Sequence, residues 1–181
     1  MNRLIAIIAA LVAGLALLSV ASASAAQAPT VSRSPATSPQ LGRVIAGATT
    51  TTFSISTAGA VTRTSGDAIR LTNTSVTAPT VTISCGLLNL NSVCALRNIR
   101  VTVTATGATG ETRIVRLRAG TLTGSTYRAG GVREGTTLTF DINPIGILGS
   151  ASFPLGMDVQ VDAGAQPGAD SFTYTVTAQF L

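Results

Sequence analysis

From Leu41 to its last residue the chain alternates apolar side chains with threonine and serine, in runs broken by Gly, Asn and Pro. Two runs are especially regular. Over 99–105, Ile99, Val101, Val103 and Ala105 fall on one side, and Arg100, Thr102 and Thr104 on the other. Over 171–180, Phe172, Tyr174, Val176, Ala178 and Phe180 oppose Thr173, Thr175, Thr177 and Gln179. A period of two with one apolar face is the pattern of a half-buried antiparallel strand. The same reading predicts further strands over 50–56, 67–72, 76–84, 112–118, 136–142 and 151–161, with Thr, Val and Ile enriched and turn residues between them. No segment after the first 25 residues carries a helical period. About eight such strands predict an all-β, antiparallel two-sheet sandwich over residues 41–181. An eight-stranded membrane barrel would need aromatic girdles. The chain has five Phe, two Tyr and no Trp, and the polar faces are threonine.

The last strand invites two readings. It is expected as an interior strand, paired on both sides by earlier strands. Alternatively it is a handle onto which a partner strand zips, with Phe172, Tyr174, Val176 and Phe180 as alternating anchors.

The beginning of the chain has a different texture. A short positive start is followed by an apolar run from Leu4 to Val20 and by small residues over Ala21–Ala26. That layout predicts a cleaved signal peptide over residues 1–25, with no membrane span after cleavage and export to the periplasm, cell surface or medium. Residues 26–40, AQAPTVSRSPATSPQ, carry three prolines and no apolar period, and are expected to form a disordered arm. In an exported chain the only two cysteines, Cys85 and Cys94, are expected to form a disulfide. Closing so short a loop contributes roughly 2.5–3 kcal/mol by chain-entropy arithmetic.

Composition removes most chemistry. There is no histidine and no lysine. Imidazole-based nucleophile systems, imidazole metal sites, Schiff bases and Ser-Lys dyads are therefore all excluded. No glycine-rich phosphate motif is present. The closest carboxylates in strand-like sequence, Asp158 and Asp162, would stand about 13 Å apart along a strand. A glycosidase pair needs about 5–9.5 Å. Asp158, Asp162 and Asp170 lack the dense spacing of a calcium loop. Neither catalysis, cofactor nor metal is expected. Charge is sparse and mildly basic, too weak a signal for nucleic acid. The one basic cluster is Arg113, Arg116 and Arg118 in RIVRLR. Strict alternation would put Arg116 and Arg118 on one face and Arg113 on the other. The cluster reads either as a contact for an anionic polymer or as charges guarding a strand from unwanted pairing. Asn73-Thr74-Ser75 matches a glycosylation sequon, taken as a chance match.

Two stretches resemble a family of secreted proteobacterial proteins grouped as a domain of unknown function (DUF 4402). In LGRVIAGATTTTFSISTAGAVTRTSGDAIRL the matching residues are Leu41, Gly42, Val44, Gly47, Ser56, Gly59 and the step from Arg63 to Gly66. In FPLGMDVQVDAGAQPGADSFTYTVTAQF they are Phe153, Gly156, Val159, Val161, Ala165, Gln166, Gly168, Tyr174 and Val176. The resemblance implies an immunoglobulin-like sandwich, an exported location and a structural role akin to fimbrial subunits and spore-coat-like surface proteins. It implies no catalytic residue. The Cys85–Cys94 insertion and the RIVRLR strand depart from the family pattern. The expected function is a structural or adhesive surface subunit. Its partners would be copies of itself or other subunits joined by strand addition, and a periplasmic chaperone. The alternative is a monomeric module binding an envelope glycan or anionic polymer.

Overall fold

The computed structural model of the chain describes residues 28–37, 39–73, 75–86, 93–108, 111–166 and 172–181. The expected signal peptide, Thr74 of the sequon, the apolar stretch 87–91 and the turn before the last strand, with Asp170 and Gly168, lie outside the described residues. The described part is all-β. Its strands are β1 (Thr30–Ser34), β2 (Val44–Ile45), β3 (Thr51–Ile55), β4 (Val61–Ser65), β5 (Ile69–Arg70) and β6 (Thr80–Ser84). A one-turn helix α1 (Val93–Leu96) precedes β7 (Ile99–Ala108), β8 (Thr112–Ala119), β9 (Glu134–Gly135), β10 (Thr137–Ile142), β11 (Ser150–Val161) and β12 (Phe172–Phe180).

Two antiparallel sheets face each other. The larger runs β1-β6-β11-β3-β4, with β8 added on β11 and β9 added on β8; the smaller runs β10-β7-β12. β2 and β5 form a separate short ribbon. β11 is the spine of the larger sheet. Its first half pairs with β6 and its second with β3, while β8 lies along it from Leu155 to Val161. Pro154 falls where β8 ends on β11, so its missing N–H interrupts the sheet at a change of partner. Residues Leu155 to Val159 of β11 are buried on both faces, as a central strand requires. Between the sheets lie Ile55, Val81, Ile83, Ile99, Val101, Val103, Leu138, Ile142, Phe153 and Leu155, all without exposure. The alternating apolar positions of the sequence are thus the core. Among the described residues no helix is long and apolar enough to cross a membrane.

The framework turns use glycine where no other residue fits. Gly59, at φ +84°, closes the turn between β3 and β4, and a Cβ there would sit 2.0 Å from the Val76 carbonyl oxygen. Gly66, at φ +79°, brings the chain out of β4 so that Asp67 and Ala68 donate their N–H groups to the buried Thr51 hydroxyl. Asp67 in turn accepts from the N–H groups of Ala48 and Thr49. Gly47 belongs to the same clasp, since a Cβ there would sit 2.1 Å from the Asp67 carboxylate.

Two expectations are corrected. The arm over 26–40 is not structureless: Thr30–Ser34 is β1, paired residue by residue with β6 from Ser84 back to Thr80. Its side chains carry no apolar period because an outermost strand needs backbone hydrogen bonds more than apolar side chains, and of β1 only Val31 packs on the core. The last strand, expected inside a sheet, is at the edge: β12 pairs with β7 alone. The cysteines join as expected. Cys85 and Cys94 form a disulfide and are both buried, tying the end of β6 to α1.

Candidate functional site

β12 is held along its inner side by β7, from Phe172 opposite Ala108 to Phe180 opposite Ile99. In an antiparallel strand the N–H and C=O of one residue point to the same side, and successive residues alternate. Two contacts fix which set faces outward. The Leu181 N–H donates to the Asn98 carbonyl at 3.0 Å, toward β7. The Tyr174 carbonyl instead accepts from Arg33 Nη1 of β1 at 3.0 Å, away from β7. Tyr174, Val176, Ala178 and Phe180 therefore carry the outward backbone groups. Arg33 takes one of them and also stacks its guanidinium 5.1 Å from the Tyr174 ring centre. Beyond that point no strand among the described residues pairs with the outer side of Val176, Ala178 and Phe180.

The side chains follow the same division. Phe172 and Tyr174 are core, whereas Val176, Ala178 and Phe180 are half-buried against it. Thr175, Thr177 and Gln179 are exposed on the opposite face. Of the four anchors read from the sequence, two are buried structural residues and two, Val176 and Phe180, border the open edge.

Other edges are guarded in ways that discourage pairing. β1 carries Arg33 and is followed by Pro35, and β4 carries Arg63. The outer side of β10 is covered by 126–132, where Val132 and Thr139 exchange two hydrogen bonds and Arg128 N–H donates to the Asp141 carbonyl. β12 has no charged side chain from Phe172 to Leu181 and no proline.

The arginine cluster is brought together more tightly than alternation suggests. The β8–β11 register passes from Arg116 opposite Asp158 to Ile114 opposite Val159, so Val115 is an extra residue. This bulge turns Arg113 onto the face shared by Arg116 and Arg118, correcting the expected split. All three are taken by carboxylates. Asp158 accepts from Arg116 Nε at 2.7 Å and from Arg118 Nη2 at 2.6 Å. Glu134 lies 3.2 Å from Arg116, and Asp162 accepts from Arg113 at 2.8 Å. The Asp158 side chain is 6% exposed. Burial pushes its carboxyl up, but hydrogen bonds from Arg118, Arg116 and Ser54 outweigh burial and hold it below the ordinary value of 3.8. Asp158 and Asp162 are thus held by different arginines and do not form a pair of their own. Among the described residues, no three His, Cys, Asp or Glu side chains come together as a cation site would need.

These contacts set the acid response. Asp67 is lowered chiefly by the Thr49 hydroxyl, and Asp141 chiefly by the Arg100 guanidinium. Groups with depressed folded-state pKa values stabilise the fold above their unfolded pKa and lose that contribution as pH falls through the folded one. With no histidine to titrate, stability is expected to be level from about pH 5 to 9 and to fall below about pH 4. Urea midpoints measured across pH check this; a step between pH 5 and 8 contradicts it.

No family model, curated protein or solved structure matches this chain, so its function has to be read from its own residues.

Proposed function

We propose that the chain is an exported, non-catalytic structural protein of the cell surface, joined to neighbouring subunits by strand addition. One observation carries the reading: β12 ends its sheet with three successive outward backbone positions, no charge and half-buried apolar side chains. Such an edge is a template for another strand, and natural sheets normally blunt it. The signal-like start and the buried disulfide agree with an exported scaffold. The resemblance to secreted surface proteins points the same way. The RIVRLR arginines give the binding-module reading less support, since an anionic polymer would have to displace Asp158, Glu134 and Asp162 from them. Shearing the producing cells and probing the released material tests the proposal. The protein is expected in surface-released assemblies larger than one chain; a wholly soluble periplasmic monomer overturns it.

A further inference from the structure

We infer that β12 pairs with β12 of a second copy of the chain, antiparallel, about a two-fold axis at Ala178; this rests on reading β12 as a strand-addition edge. The outward positions determine the register. Centring on Ala178 places Ala178 opposite its own copy and Val176 opposite Phe180 on each side. All three outward residues then exchange both backbone bonds, about six in total. Centring on Thr177 puts Phe180 opposite Tyr174, whose carbonyl Arg33 already occupies, and centring on Gln179 leaves Val176 with no counterpart between Tyr174 and Leu181, so each uses only two of them.

The side chains suit that register. Val176 against Phe180 is a β-branched–aromatic cross-strand pair, a favourable combination, and it covers the half-buried ends of both. Alanine, the smallest side chain in the strand, falls on the axis, where each residue meets its twin. On the polar face Thr177 lies opposite Gln179 of the other copy, within hydrogen-bonding reach. Around a two-fold axis any charge near the centre meets its own copy. Phe172 to Leu181 contains no charged side chain, so no side chain of β12 repels its own copy. The result joins the two β10-β7-β12 sheets into one continuous sheet.

The test uses sedimentation of the purified protein together with engineered cysteines. A concentration-dependent dimer is expected. Ala178→Cys is expected to give a disulfide-linked dimer without added cross-linker, because Cα atoms in a hydrogen-bonded antiparallel pair stand about 5.5 Å apart, within disulfide range. Thr64→Cys, exposed on β4, serves as the control and should stay uncoupled. Ala178→Pro removes an outward N–H and leaves the β7 ladder intact, so it should weaken dimerisation at least about tenfold, with an unchanged circular dichroism spectrum. A dimer that survives Ala178→Pro and disappears when residues before Pro35 are removed is an exchange of β1, and overturns the inference. A monomer whose Ala178→Cys variant couples to a different chain in sheared material overturns self-pairing and leaves strand addition standing. Association unchanged in every variant, with no coupling at position 178, overturns both.

Discussion

Replacing Asp158 with alanine lowers the stability of the fold by about 3 kcal/mol, measured as a shift in the urea midpoint. The carboxylate is almost fully buried in the middle of β11, the spine of the larger sheet. Its two guanidinium partners come from the neighbouring strand, with side-chain exposures of 52% for Arg116 and 23% for Arg118. Removing the acid leaves two cations facing each other across one site. Breaking a fully buried pair costs about 3–5 kcal/mol, and here the arginines reach water in part, which favours the lower end. Removing Arg113 is the contrast. Its bond to Asp162 joins side chains that are both more than 40% exposed. An exposed pair of this kind contributes about 0–1 kcal/mol. Equal midpoints for the two variants would mean that the Asp158 network does not hold β8 to β11.

Truncating Phe153 to alanine costs about 3–5 kcal/mol and lowers the melting temperature by roughly 10 °C. Phe153 is on β11 and has no exposure. Its ring meets Phe140 of β10 edge-on, with centroids 5.4 Å apart, and Phe140 meets Tyr127 in the same way at 5.1 Å. The Phe153–Phe140 step joins the larger sheet to the smaller. Loss of the ring removes apolar burial and leaves a void that small β-branched neighbours fill poorly. Phe153→Leu keeps most of the volume and should cost less than half as much. A melting temperature insensitive to both changes would place the sandwich core elsewhere.

The strands that carry the core were legible because their period of two is written in side-chain type. β7, β10, β11 and β12 were all readable, and so was the disulfide, since Cys85 and Cys94 are the only cysteines. β1 and β4 were not. Their residues are mostly exposed, so side-chain alternation marks neither one. The anchors of β12 were visible as apolar positions, but whether they face a partner in the same molecule is fixed by long-range pairing. The bulge at Val115 was hidden for a related reason. RIVRLR alternates plausibly without it, and only the ladder against β11 reveals the extra residue.

The contact between Arg33 and Tyr174 makes β1 a ruler for the outer edge of β12. It caps the strand at one carbonyl, and no strand among the described residues pairs with the three outward positions beyond it. Loss of β1 from its ladder on β6 would release that carbonyl and lengthen the template by one position. The reach of β12 would then be adjusted from β1, without any change in β12 itself.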